Sequence, residues 1–312
     1  QGVVGNVRCG AKRNIAAFDF DSPSPTGVGY GFFAIAFRQT QRTENDGVGS
    51  GFTDFKMIRP GYDPDTEQTF TDDFLNALTQ TPFATIRFKD FTRTDGADPD
   101  YPAVTEWADR GLPTHASQQR IEEIGKRAGA AWEYVIELAN ITNIDPWVNV
   151  PVSATTDYVR QLATMLKENL NPEPDIYVER SNEVWNTAPG YEQTAYSKAQ
   201  ADALGIGERE NHARRTVELA QIFADVFGEE SLNTKIRVVL CSHSPMLKWW
   251  VQPMLNYIER EYSDVNQYIY ALACQTYYSG GADAGESVDK ILNDCRDSII
   301  GQMDEPSGNQ SG

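Results

Sequence analysis

Residues 175–186 read Asp175-Ile176-Tyr177-Val178-Glu179-Arg180-Ser181-Asn182-Glu183-Val184-Trp185-Asn186, a β-branched run that ends in an Asn-Glu pair followed by a tryptophan. A strand that delivers a carboxylic acid at its C-terminal end suits proton transfer to a weakly basic oxygen such as that of an acetal. Such chemistry needs one carboxyl kept protonated near neutral pH by a partly apolar, carboxylate-rich setting, and Glu183 is placed for that role. Beside it, Asn182 can hydrogen-bond a sugar hydroxyl, and Trp185 offers the flat apolar face on which sugar C–H groups pack. A plainer reading makes Asn182 and Glu183 a helix cap after a buried strand, with Glu183 in the first turn. The preceding strand and the tryptophan favour the chemical reading.

The elements that must position these residues follow from apolar periodicity. Strands are expected over residues 55–59, 84–88, 147–150, 176–179, 236–240 and 268–273, with helices over 70–78, 117–138, 157–170, 214–227, 250–262 and 288–300. Val159, Leu162, Leu166 and Leu170 share one helical face, Thr69 or Thr71 with Asp72 and Asp73 opens a helix, and Pro60-Gly61 and Pro151 close strands. Strict strand-helix alternation implies a parallel sheet with helices outside it. The expected fold is therefore α/β, of (β/α)8 TIM-barrel type but incomplete, with six β/α units where eight would close the barrel. Residues 1–50 differ: Gly, Ser, Pro and Asn punctuate short aromatic runs such as Gly31-Phe32-Phe33-Ala34-Ile35-Ala36-Phe37, which makes them a β-rich N-terminal segment ahead of a barrel domain over 51–312. Residues 302–312 are polar and Gly-rich with no seventh strand, so the open edge is expected to be covered by further polypeptide or by a neighbouring subunit.

Composition narrows the partners. The 312-residue chain is 40% hydrophobic and 11% aromatic, enough for a sizeable core, and no apolar run is long enough to span a membrane. With 27 Lys plus Arg against 45 Asp plus Glu, the formal charge of −18 argues against nucleic acid and anionic lipid and suits a neutral polysaccharide or oligosaccharide. Cys9, Cys241, Cys274 and Cys295 lack metal-ligand spacing and allow three pairings if all are oxidised; Cys274 and Cys295 are near enough in sequence to be bridged. His115, His212 and His243 form no ligand cluster, so neither a metal nor another cofactor is expected. Asn140-Ile141-Thr142 and Asn309-Gln310-Ser311 are N-glycosylation sequons, and the chain opens at Gln1 without Met, as a processed secreted protein would. An extracellular location is the expectation.

Several stretches carry a family resemblance: Ile58-Arg59-Pro60-Gly61, Ile86-Arg87-Phe88-Lys89-Asp90-Phe91, Trp107-Ala108-Asp109-Arg110, Trp132-Glu133-Tyr134-Val135-Ile136-Glu137-Leu138-Ala139-Asn140, Asp145-Pro146-Trp147-Val148-Asn149-Val150-Pro151, and Tyr177 through Asn186. Together they resemble the glycoside hydrolases of clan A, cellulase-like (β/α)8 barrels, and more closely a group of large secreted proteins with such a barrel. The resemblance implies that Glu183, after Asn182 at the end of the fourth predicted strand, is the acid/base. It also implies that Arg87 orients the nucleophile, an ion pair with Asp90 being the structural alternative. Tyr277 or Tyr278, after the sixth strand, would hydrogen-bond the nucleophile, with interface or core packing as the alternative. His243, at the exit of the fifth strand, falls on the catalytic face by the barrel rule. Trp249 and Trp250 either stack on sugar or, as the favoured reading, pack in the core.

Two departures stand against this pattern. Val152 occupies a position where relatives show His, and no seventh strand supplies the clan's nucleophilic Glu; Glu305, in a loop-like Met303-Asp304-Glu305-Pro306 context, is not taken for it. The leading expectation is a secreted glycoside hydrolase-like protein that cleaves β-linked polysaccharide by a retaining mechanism. The competing one is a catalytically silent extracellular barrel that binds carbohydrate or builds a homo-oligomeric or polymeric assembly through its open edge.

Overall fold

The computed structural model describes residues 4–10, 13–18, 41–51, 58, 61–63, 65–94, 106–115, 118, 128–188, 191–242, 247–274, 287, 289–290 and 293. The chain divides into two units, Gln1–Gln68 and Thr69–Gly312. In the first, β1 (Val4–Gly10) and β2 (Arg13–Phe18) form an antiparallel pair in which Cys9 faces Asn14 and Gly10 faces Arg13, with a register shift between Gly5 and Arg8.

The second unit opens with α1 (Asp72–Thr79), where Thr71 accepts a hydrogen bond from Phe74 N and Asp72 and Asp73 complement the helix dipole. It continues through β3 (Thr85–Arg87), α2 (Trp132–Thr142), β4 (Asp145–Val150), α3 (Thr156–Asn169), β5 (Ile176–Arg180), α4 (Glu192–Leu204), α5 (Glu208–Phe227), β6 (Ile236–Ser242), α6 (Gln252–Tyr262), the short turn α7 (Val265–Tyr268) and β7 (Ala271–Cys274). The five strands β3 to β7 pair in sequence order, each parallel to the next.

Period-two alternation gives the sheet two unlike faces. Val148 pairs in register with Val178, and Val178 with Val238, while Ile176 pairs with Ile236. These residues are buried with Leu162 and Leu166 of α3, Val217, Ala220 and Phe223 of α5, and Met254 and Ile258 of α6. Their helical spacing of three and four residues turns one stripe of each helix onto the sheet. The residues between them in sequence point the other way. Trp147 stacks on Tyr177 with ring centroids 5.7 Å apart, and the Arg237 guanidinium lies 5.2 Å from the Tyr177 ring and 5.1 Å from the Tyr270 ring. Arg237 also ion-pairs with Asp145 and Asp175. This second face is aromatic and charged where the first is aliphatic.

The six-unit (β/α)8 expectation is corrected: among the described residues the parallel sheet has five strands in linear order and forms a half-barrel. Of the first expected strand, Ile58 lies in irregular backbone and the rest falls outside the described residues. The sixth begins later than expected, because Asp264 caps α7 by accepting from Asn266 N and so takes Tyr268 into a helical turn. The expected helix over 117–138 starts at Trp132, after irregular backbone at residues 128–131. Between the strand expected over 176–179 and the helix expected over 214–227, α4 appears, with a buried face of Gln193, Thr194, Ser197 and Ala201. Small and polar residues leave no aliphatic stripe to read in sequence. The aromatic run over residues 31–37 and most of the helix expected over 288–300 lie outside the described residues.

Leu162 is fully buried between α3 and the sheet. Leu162→Ala is expected to lower the stability of this unit by about 2–5 kcal/mol, since a truncated core leucine loses transfer energy and leaves a cavity; urea unfolding followed by circular dichroism measures it.

Candidate functional site

Parallel pairing brings the C-terminal ends of β3, β4 and β5 to one end of the sheet. Glu179, on the aromatic face of β5, is 1% exposed, and a carboxylate removed from water in this way needs counter-charge and donors. Arg87, the last residue of β3, supplies both by bridging across β4: its Nε donates to Oε2 at 2.8 Å and its Nη2 to Oε1 at 2.7 Å. Trp147 of β4 adds a third bond, Nε1 to Oε2 at 2.8 Å, and its ring centroid lies 5.5 Å from the guanidinium carbon. Burial works against the guanidinium's charge, yet the bonded carboxylate outweighs it and raises the Arg87 pKa above its ordinary value. Arg87 therefore pairs with Glu179, while Asp90 pairs with Lys89.

The same guanidinium orients the residue before Glu183. Arg87 Nη2 donates to Asn182 Oδ1 at 3.0 Å, and because guanidinium is donor-only this contact fixes which end of the amide is oxygen. Asn182 Nδ2 then remains a buried donor with no partner among the described residues. Gln193 Nε2 holds the Asn182 carbonyl at 3.0 Å, and Asn149 Nδ2 holds that of Ser181 at 2.8 Å, so α4 and β4 both brace the segment.

Beyond β5 the chain does not pass directly into a helix. Ser181 and Glu183 both have left-handed backbone, at φ 59° and 45°, a conformation that costs a non-glycine residue on the order of 1–2 kcal/mol. Two such residues on either side of Asn182 turn the chain sharply and carry the partly exposed Glu183 side chain out of the strand's alternation. Asn186 closes the turn: its N–H donates to the Glu183 carbonyl at 3.0 Å and its Nδ2 to Glu183 Oε2 at 2.7 Å. Thr194 of α4 donates to the carbonyls of Glu183 and Asn186. The helix-cap alternative is thereby set aside, since Glu183 lies in a turn and the next helix begins at Glu192. Trp185 meets Trp250 edge to face at 5.9 Å, and Arg209 lies 5.1 Å from the Trp250 ring. Trp250 packs partly buried against the core, whereas its neighbour Trp249 is 49% exposed.

On the opposite face of β5, Arg180 is buried against α4 and α5. Its Nη1 reaches His212 Nδ1 at 3.2 Å and Ser197 Oγ at 3.4 Å. Donation from a guanidinium requires Nδ1 to be the acceptor, so Nε2–H donates to the Cys241 carbonyl at 3.1 Å and the imidazole is neutral. Burial first, and then the Arg180 charge, push the His212 pKa down to about 3. Cys241 is a buried thiol in no disulfide, so pairing of all four cysteines does not occur.

Sequence and structure agree unevenly on which residues belong together. Arg87 and Asn182 are joined by the hydrogen bond above, and Glu183, held by Asn186, lies with Trp185 in the turn that follows. His243, Tyr277, Tyr278 and Asn309 lie outside the described residues. The Asn140 amide bridges α2 to the chain after α3, donating to Asn169 O at 2.9 Å and accepting from Asn171 N at 2.7 Å, so a glycan on Nδ2 would have to displace the first bond. Sequence reasoning passed over Glu179, Trp147, Asn149 and Asn186. Glu179 carried part of a signal, because a carboxylate in the interior of a strand demands a partner, but its sequence neighbourhood does not say which strand supplies one. Among the described residues no group of three metal-ligating side chains comes together, and no helix is long and apolar enough to cross a membrane. Compared with known proteins, the chain matches no family model, no curated protein and no solved structure.

Glu179→Gln leaves the Arg87 guanidinium without counter-charge. The expected loss is somewhat below the roughly 3–5 kcal/mol of a broken buried pair, because the Arg87 side chain remains 35% exposed and is partly screened. Arg87→Met, which strands the far more buried carboxylate, should cost more; denaturant unfolding of both variants checks the order.

His212 gives a pH prediction with a definite sign. Its folded pKa is about 3 against the ordinary 6.5, so the unfolded chain takes up the proton first as pH falls. The contribution is complete above pH 6.5 and declines between 6.5 and about 3, at up to about 1.4 kcal/mol per pH unit. His212→Gln should remove this part of the slope, so that the stability gap between wild type and variant narrows on acidification from pH 7 to 4; a gap constant over that range would refute the assignment.

Proposed function

We propose that this chain is a secreted glycoside hydrolase-like protein that takes a β-linked polysaccharide at the C-terminal end of its sheet, with Glu183 as the proton donor of a retaining cleavage. The observation that carries the reading is the Arg87–Asn182–Glu183 arrangement: a strained turn presents the carboxyl, Asn186 holds one of its oxygens, and Arg87 sets the Asn182 amide beside it. In this scheme Glu183 protonates the leaving oxygen and then takes a proton from water. Asn182 Nδ2, a donor lacking a partner among the described residues, binds a sugar hydroxyl, and Trp185 supports the ring.

Retention requires a second carboxylate about 5–5.5 Å from the first. Glu179 is unsuited to that part, because both its oxygens are engaged by Arg87 and Trp147. That observation favours a second reading, in which the same surface binds carbohydrate without cleaving it and the chain serves in an extracellular assembly. The acidic charge of −18 and the sequon at Asn140 suit an extracellular setting under either reading.

The two readings separate in one experiment. Wild type and Glu183→Gln are assayed for release of reducing ends from unactivated β-glucan and for binding to the same polymer by affinity electrophoresis. The hydrolase reading expects the variant to lose about 10²–10⁴-fold in rate while binding stays within about twofold, since the amide keeps shape but cannot donate the catalytic proton. Wild-type turnover in the variant excludes Glu183 as the acid; binding with no turnover in either protein supports the silent module.

A further inference from the structure

Arg180 stands out among the buried charges because it is 3% exposed yet has no carboxylate within ion-pair distance among the described residues. Its neighbours Ser197, His212 and Gln200 are neutral acceptors at 3.2–3.5 Å, and among the described residues its Nε has no partner. A guanidinium in that state is costly, since charges are buried in proteins when they are compensated. Burial first, then the charges of Arg215 and Arg214, press the Arg180 pKa down to about 9, which leaves the side chain cationic at neutral pH and short of negative charge.

A small open cavity with room for about one water-sized species adjoins this group between the sheet and helices α3 and α5. Arg180 and Arg215 both line it, and Arg215 Nε is likewise buried and without a partner among the described residues. The one carboxylate in the lining, Glu218, is already bonded to Arg215 at 2.7 Å, to Arg214 at 3.5 Å and to Thr156 at 3.4 Å. Glu218 is thus spent on Arg214 and Arg215, and among the described residues no carboxylate is bonded to Arg180. Val150, Pro151, Val159, Leu219 and Ile222 make the rest of the wall apolar apart from Thr156, whose hydroxyl already donates to Glu218.

We propose that this cavity binds a weakly hydrated monovalent anion, chloride being the natural case, between the guanidinium groups of Arg180 and Arg215. Two unmet Nε–H donors and the excess of positive charge provide the attraction. The apolar wall selects against sulfate and phosphate, whose hydration shells would have to be stripped without replacement. The bound ion neutralises the outer face of β5 at Arg180, one residue from Glu179 and three from Glu183, and so stabilises the strand that carries the site. This inference does not depend on the hydrolase reading.

Thermal unfolding of the full chain at constant ionic strength tests it, with sodium chloride or sodium bromide replacing sodium gluconate stepwise, so that general screening stays fixed. The expected result is a Tm that rises by about 3–5 °C for each tenfold increase in halide above its Kd, as for a ligand that binds only the folded state. Arg215→Gln should unfold with little halide response. A Tm indifferent to the replacement, or an equal response in the variant, overturns the proposal. Should the variant not fold, crystals of the wild type soaked in bromide decide: an anomalous peak within hydrogen-bonding reach of Arg180 and Arg215 supports the site, and a water or empty density there refutes it.

Discussion

A single carboxylate, Glu179, sets conditions that much of this molecule meets. Placed inside the sheet at 1% exposure, it is tolerable only with a cation and directed donors, and parallel pairing of β3, β4 and β5 brings Arg87 and Trp147 within reach. The pair spans three strands, so it reports that the sheet has closed in the correct register: a slip of one residue would turn Glu179 toward the aliphatic helices and Arg87 away from it. Asn182 accepts from Nη2 of the same guanidinium, which links the stability of the sheet to the geometry of the turn that presents Glu183.

Strand β5 thus has to satisfy opposite demands on its two faces. Glu179 needs positive charge on the aromatic side, and Arg180, the next residue, needs negative charge on the helical side. The first demand is met within the sheet. The second is met only by neutral acceptors, and the neutral tautomer of His212 is a consequence, since a protonated imidazole beside Arg180 would bring two cations together in the core. The cavity lined by Arg180 and Arg215 lies where compensation is lacking, which is why an anion there follows from the same accounting of buried charge that explains Arg87 and Glu179.

The turn after β5 shows how function and stability part company. Ser181 and Glu183 hold positive φ values that glycine would adopt without strain, and hydrogen bonds from Asn149, Asn186 and Thr194 keep them there. A chain selected for stability alone has no need of two charged or polar residues in that conformation. Presentation of a carboxyl beside an oriented amide is the gain that this strain secures in the proposed reading.

The local pattern of the chain was sufficient for several results, because they depend on spacing along one element. Apolar residues at helical intervals located α3, β-branched runs located β4, β5 and β6, Thr71 with Asp72 and Asp73 opened α1, and the Asn182-Glu183 pair was recognised at a strand exit. Strand number was misread because alternation of apolar runs does not reveal which runs pair: one expected strand has irregular backbone at Ile58, and α7 takes the beginning of another. Helix α4 escaped because its buried face is small and polar, so its burial follows from what packs on it and leaves no mark in its hydropathy. The partners of Arg87 were equally hidden, since Glu179 lies 92 positions away and an adjacent Asp90 offered the nearer choice. Only the tertiary structure decided between them, because the sheet carries Arg87 to a carboxylate out of water, where an ion pair is worth far more than one with an exposed aspartate.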